Sequence, residues 1–286
     1  MIDLHLHTTA SDGRLAPAEL VARAAAAGIT TMSVTDHDTV AGLAEVGRAA
    51  AARGIRLVPG IEITAVAEGR DVHLLGYFFD PASPGLLTFL ESQRAQRVAR
   101  VRAIGERLAG LNMPIDVEAL VTTAATRPGT SVGRPQVARA LVAAGHAGSV
   151  AEAFERWLAT GLPAFVPRTG PDPATVVAAI HAAGGIASFA HPGVTRRDAL
   201  IAPLADQGLD AIEVYHSDHT PEEIQLYRGL AQRLGVLVSG GSDFHGEDPQ
   251  APVERSRARR GTLGAVMLPP DDLAALERHA ATRRSS

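Results

Sequence analysis

The chain contains no cysteine. That excludes disulfides, a thiolate nucleophile and thiolate metal ligands, and it favours a cytoplasmic location. Aromatic residues make up only 4%, which disfavours long single-strand recognition by base stacking. No segment approaches the roughly 18 uninterrupted apolar residues of a membrane span. The N-terminus lacks the basic stretch and apolar run of a secretory signal. Neither sign of charge dominates: a formal net charge of -4 gives no overall pull toward nucleic acid or anionic membrane, although a local patch could still bind phosphates. What remains is 286 residues, 46% hydrophobic and 20% charged. A chain of this kind can bury one α/β barrel, or a domain carrying an insertion. The expectation is a cytoplasmic protein with no membrane association and no obligate protein partner.

Short β-like runs alternate with Ala-rich helical runs. Strands are expected over residues 2–7, 31–35, 56–62, 72–78, 186–190, 211–215 and 236–239, and helices over 17–27, 39–53, 173–182 and 221–234. Thr220-Pro221-Glu222-Glu223 reads as a capping box with Pro in its favoured first position. Asp38 is a plausible N-cap for the second helix, and Gly28, Gly54 and Gly235 sit where helices should stop. Strand–helix alternation argues for a parallel sheet, open or closed into a barrel. Residues 81–167 break the rhythm with helical text alone, too long for one crossover. They read as a helical insertion, with residues 1–80 and 168–286 forming the barrel.

The chemistry gathers at the strand ends. In "MIDLHLHTTASDGRL", alternation puts Ile2, Leu4 and Leu6 on one face and Asp3, His5 and His7 on the other, with Asp12 in the following loop. "TDHD" supplies His37, "GIEIT" Glu62, the fourth strand His73, "FAHPG" His191, and "GGSDFH" Asp243 and His245. In an α/β barrel the C-terminal strand ends open on one face, where active sites lie. Six histidines and three carboxylates from six strands would meet there. Packed without cations, the carboxylates would repel and the imidazoles would be desolvated at a cost. Zinc, manganese and iron accept both ligand types. One catalytic zinc uses about three protein ligands, so this set points to two or three divalent metal ions with shared carboxylates.

The segments "DLHLHTTASDG", "TDHDT", "GIEIT", "AHPG" and "GSDFH" closely resemble, in order, the motif series of the polymerase and histidinol phosphatase (PHP) family. They are most similar to its stand-alone phosphoesterases acting on nucleotides, and the resemblance covers nearly the whole chain. It implies a distorted TIM-like (β/α)7 barrel with a trinuclear metal site on its C-terminal rim. By motif, His5, His7, Glu62 and Asp243 would hold the first metal. Glu62, His73 and His191 would hold the second, with Glu62 as bridge, and Asp12, His37 and His245 the third. Manganese is the favoured ion, ahead of zinc or iron.

"GRPQVARAL" resembles a family segment whose arginine contacts substrate phosphate, here Arg134; its planar fork suits paired phosphate oxygens. Many relatives carry His where this chain has Gln136, which removes a possible acid near the substrate. "EVYHSDHT" makes His216 a candidate substrate-pocket group, with His219 just beyond. His191 and His216 are candidate groups to assist a metal-activated water. His181 reads as a helix-flank residue, and His146 and His279 carry no signal. The basic run "ERSRARRG" over 254–261 reads as a solvated loop, because no aromatic residues interleave it.

The implied activity is metal-dependent hydrolysis of a phosphate ester. The substrate would be a 3′,5′-bisphosphonucleotide losing one phosphate, or a short 5′-phosphorylated oligonucleotide trimmed from its 5′ end. Alternatives are a histidinol-phosphate-type small-molecule phosphatase and a non-catalytic metal-binding module. Amide hydrolysis would leave Arg134 without a task.

Overall fold

A computed structural model of the protein describes residues 1–126, 129–247 and 262–284. The basic run over 254–261 therefore lies outside the described residues. Seven strands occur in sequential order: β1 Ile2–Leu6, β2 Thr31–Val34, β3 Arg56–Ala67, β4 Arg70–Tyr77, β5 Ile186–Phe189, β6 Ala211–His216 and β7 Leu237–Gly241. The helices are α1 Pro17–Ala26, α2 Leu43–Ala51, α3 Pro84–Gly110, α4 Val117–Thr126, α5 Arg134–Ala143, α6 Val150–Ala153, α7 Pro173–Ala182, α8 Pro192–Thr195, α9 Ile201–Asp206, α10 Pro221–Leu234 and α11 Pro270–Arg284. None of them is long and apolar enough to cross a membrane.

Strand β1 meets β7 through a Leu6–Phe244 bridge and a 3.0 Å hydrogen bond from the His7 N–H to the Phe244 carbonyl. The sheet is thereby a nearly closed, distorted TIM-like barrel. Gly241 makes this seam possible: a Cβ there would lie 2.3 Å from the His5 backbone nitrogen.

The barrel departs from the all-parallel reading at β4, which runs antiparallel to both β3 and β5. The cause is local. Glu68 and Gly69 both take positive φ, 50° and 73°, the two-residue turn whose twist suits a hairpin. Strand β3 accordingly continues past Glu62 to Ala67, and β4 delivers His73 from mid-strand rather than from its end. A second correction concerns Asp38. It caps no helix: α2 begins at Leu43 with Gly42 before it, and the Asp38 carboxylate accepts the Thr64 N–H at 2.9 Å. The expected capping box is present. Thr220 Oγ1 accepts from the Glu223 N–H at 3.2 Å, and Glu223 returns a carboxylate oxygen to the Thr220 N–H at 2.9 Å.

One apolar cluster lies between the sheet and its outer helices and includes Leu20, Ile61, Ile63, Leu74, Ile180 and Phe189. A second joins Ile2, Leu4, Val58 and Tyr77 to Leu273 and Leu276 of α11. The helices between β4 and α7 bury a third cluster of their own, including Val101, Ile104, Leu108, Val137, Leu141 and Leu158.

Helix α11 is also fastened by polar contacts. Asp210, just before β6, accepts from His181 Nε2 and His279 Nε2 at 2.7 Å each, and from the Ala187 N–H at 2.8 Å. Burial pushes the Asp210 carboxyl up, but the bonds from His181, Ala187 and His279 outweigh it and hold the group below its ordinary 3.8. A carboxyl depressed in the folded state stabilises above its unfolded value, and that stability is lost as pH falls through the lower folded value. Asp210→Asn should therefore cost about 1–3 kcal/mol at neutral pH, and variant and parent should converge in strong acid. Urea unfolding across pH measures this; equal midpoints at pH 7 would contradict the fastening role.

Candidate metal centre

His5 and His7 leave the end of β1, and both are fully buried. Their Nε2 atoms lie 3.1 Å apart. Each is 3.2 Å from Glu62 Oε2, and they stand 3.3 and 3.2 Å from Asp243 Oδ1. Glu62 turns its other oxygen elsewhere: Oε1 is 2.7 Å from His73 Nδ1 and 3.0 Å from His191 Nε2. Asp12 Oδ1 lies 3.2 Å from His245 Nε2, and its Oδ2 lies 3.7 Å from His37 Nε2.

Donor atoms of His5, His7, Glu62 and Asp243 all fall within 4.8 Å of one another. The same holds for His7, Asp12, His37 and His245, and for His37, Glu62 and His73. All nine sequence-predicted donors thus occupy one mouth.

The donors fit a divalent cation. Imidazole nitrogens and carboxylate oxygens are the ligands that zinc, manganese and iron take. The buried Nδ1 of His191 makes no hydrogen bond, and those of His37 and His73 meet Glu62 at 3.3 and 2.7 Å without hydrogen-bond geometry, whereas buried polar atoms normally have partners. The charges are heavily coupled. Burial alone would raise Glu62, but the imidazoles of His37, His73 and His5 prevail and hold it well below the usual carboxylate range. Burial drives His37 down to about 3. At His7 burial is outweighed by hydrogen bonds to Asp243 and Glu62, which push it up to about 10.

The backbone is bent to suit the site. Asp38, His191 and Asp243 take positive φ of 52°, 28° and 54°, a conformation costing non-glycine residues about 1–3 kcal/mol each.

Beside the donors is a cavity of about 130 Å³, lined by Asp12, His37 and His73 together with Arg97, Arg100, Arg134 and Arg168. Asp38 binds Arg97 and Arg168, the latter at 2.8 Å. Asp71 binds Arg100 and Arg134 at 3.2 and 3.1 Å. Four guanidinium groups facing two carboxylates leave a formal excess of two positive charges. Arg134 also lies 5.9 Å from the ring centres of Phe154 and Phe165. A π-helical turn over Phe154–Leu158 brings the Leu158 carbonyl 3.4 Å from Arg134 Nη1; such turns recur at functional sites.

Comparison with known proteins agrees with this geometry. Residues 3–155 match the PHP domain. A 5′-3′ exoribonuclease of Haemophilus influenzae is 39% identical over 85% of this chain and 89% of its own. A 3′,5′-nucleoside bisphosphate phosphatase of Chromobacterium violaceum is 34% identical over 85% and 87%. A solved structure from Bifidobacterium adolescentis, assigned as a metal-dependent phosphoesterase, superposes with a TM-score of 0.84 at 32% identity, covering 99% of this chain and 96% of that one. The chain belongs to the PHP family.

Several residues of this PHP centre escaped the sequence reading. Glu213 on β6 is fully buried; its Oε1 accepts from His5 Nδ1 at 2.8 Å and its Oε2 from the His191 N–H at 2.7 Å. A lone glutamate between Ile212 and Val214 was the available signal. Arg97 and Arg100 stand three residues apart in "RAQRVARVR", a spacing that shares a helix face, and Arg168 had no signal. Asp36 braces the first loop, accepting from the Thr8 N–H at 2.8 Å and from Ser11 Oγ at 2.6 Å.

His216 is buried with Nε2 3.4 Å from Asp243 Oδ2, and is not among the residues lining the cavity. His219 is a brace: Nδ1 donates to the Val214 carbonyl at 2.8 Å and Nε2 accepts the Gly193 N–H at 3.1 Å. Gln136 ties α5 to the barrel, accepting the Gly133 N–H at 2.9 Å and donating to the Ser11 carbonyl.

Glu213 holds His5 in the tautomer whose Nε2 faces the donors, the usual way a carboxylate orients a metal-binding histidine. Glu213→Gln can satisfy only one of its two donors in the same way. It should weaken metal affinity about 10–100-fold while circular dichroism shows the fold retained. Chelator competition measures the change, and unaltered affinity would refute the orienting role.

Proposed function

We propose that this PHP protein is a metal-dependent phosphoesterase acting on nucleotides. Its substrates are 3′,5′-bisphosphonucleotides and short oligonucleotides bearing a 5′-phosphate. The observation that carries this reading is the shared wall between the two halves of the site. Asp12, His37 and His73 belong to the donor cluster and also line the arginine cavity. A substrate with two phosphates can present one to each half. The relatives named as an exoribonuclease and a bisphosphate phosphatase act on compounds of that kind.

We assign three cation positions: His5, His7, Glu62 and Asp243; Glu62, His73 and His191; and Asp12, His37 and His245. Manganese is favoured, with zinc or iron as alternatives, and the compartment is the cytoplasm. When bound, such cations lower the pKa of water to give a nucleophile at neutral pH and neutralise charge developing on phosphoryl oxygens.

The protein's own groups do the rest. Glu62 offers one oxygen to each of two imidazole sets and so fixes their separation. Arg134 and Arg100, braced by Asp71, hold the terminal phosphate through guanidinium hydrogen bonds, and Arg97 and Arg168 add the charge that matches a dianion. Helical residues 81–167 supply part of this anchor. His191 assists the metal-activated water as a ligand of the second cation position, and His216, buried with Nε2 3.4 Å from Asp243 Oδ2, assists it from beside the donors.

Phosphate release from a panel of bisphosphonucleotides, histidinol phosphate and sugar phosphates, with and without chelator, tests the assignment. Bisphosphonucleotides should be hydrolysed in preference, and chelator should stop the reaction. Glu62→Gln should abolish turnover and reduce bound metal, whereas Arg134→Ala should raise KM about 10–100-fold with a smaller change in kcat. Metal retention without phosphate release from any nucleotide would overturn the reading.

A further inference from the structure

Each arginine lining the cavity is paired with Asp38 or Asp71. Arg139, farther along α5, is placed differently. It is partly buried and donates from Nη1 to the backbone carbonyl of Asp12 at 3.2 Å. Among the described residues it makes no ion pair. The Asp12 carboxylate favours its charge, and Arg14, exposed and just beyond Asp12, opposes it. Arg139 is not one of the residues lining the cavity; it reaches the Asp12 loop from outside. A guanidinium partly withdrawn from water, whose one hydrogen bond is to a neutral carbonyl and whose charge partner Asp12 is shared with His37 and His245, gains from a further anion brought to it.

A bisphosphonucleotide has two phosphates, and the cavity and the donor cluster account for both. We propose that Arg139 binds a third phosphate, the one joining the second and third nucleotides of a 5′-phosphorylated oligonucleotide. It is thereby the residue that favours oligonucleotides over bisphosphonucleotides. The proposal rests on the phosphoesterase reading above.

The chemistry is the same for both substrates. Water attacks the scissile phosphorus, and the bond from phosphorus to the 3′ oxygen breaks. The 3′ oxygen takes the proton, and the remaining strand keeps the phosphate. That strand hangs from the scissile phosphorus and not from the nucleoside whose 5′-phosphate fills the cavity. It must leave past residues outside the cavity, and Arg139 is such a residue, one hydrogen bond from the donor-bearing Asp12.

The test is steady-state kinetics of the metal-loaded protein on three substrates: a 3′,5′-bisphosphonucleotide, a 5′-phosphorylated dinucleotide, and the corresponding trinucleotide. Only the trinucleotide has the third phosphate. In Arg139→Gln, kcat/KM for the trinucleotide should fall about tenfold relative to the other two, and Arg139→Lys should recover part of the loss. The trinucleotide KM should also lose salt dependence equivalent to about one single-strand phosphate contact. Equal losses on all three substrates would reduce Arg139 to a support for the Asp12 loop and overturn the proposal. So would equal rates before and after substitution, or a wild type that cleaves the bisphosphonucleotide alone. A wild type inactive on all three would instead overturn the phosphoesterase reading itself.

Discussion

Glu62 is a buried carboxylate with imidazoles on both oxygens, His5 and His7 on one side and His73 and His191 on the other. Burying one unpaired carboxylate is costly, and so is crowding imidazoles in a dry mouth. Each makes the other tolerable, and the cluster exists only while β1, β3, β4 and the loops after β5 and β7 hold their donors together. The barrel seam, the left-handed residues at the mouth and the Glu213 brace all serve that one balance of charge.

A second balance stands beside it. The arginine cavity carries more guanidinium than carboxylate, and its aspartates hold two arginines each rather than neutralising them. Asp38 is pushed up by burial and pulled down further by Arg97 and Arg168, so it remains an anion. Its residual positive field adjoins a donor set that is itself rich in anionic oxygen. The asymmetry suits a molecule with one phosphate to anchor and another to be attacked.

Much of this was legible because donors announce themselves by type. Histidine and carboxylate at successive strand ends have few other uses, so His5, His7, His37 and Glu62 could be read in order. Helix ends were equally plain at Thr220 and Gly235, where side-chain chemistry dictates the cap. The antiparallel β4 was not, because its signal is two residues, Glu68-Gly69, between two runs that otherwise read as successive parallel strands. Glu213 and Arg168 were hidden for another reason. Their roles depend on contacts with His5 and Asp38, over 200 and about 130 positions away in the chain, and no local pattern records such a meeting. Asp38 misled because an aspartate before a helical run is a normal cap; tertiary partners claimed it first.

His37 and Asp38 are adjacent, yet one faces the donors and the other the arginines, with Asp38 held at a positive φ between them. At this peptide the two pockets meet back to back. Asp71 stands likewise two residues from His73 on β4, so each aspartate that steadies a pair of arginines is tied through the backbone to an imidazole of the donor cluster, and anion hold and cation hold are mechanically linked.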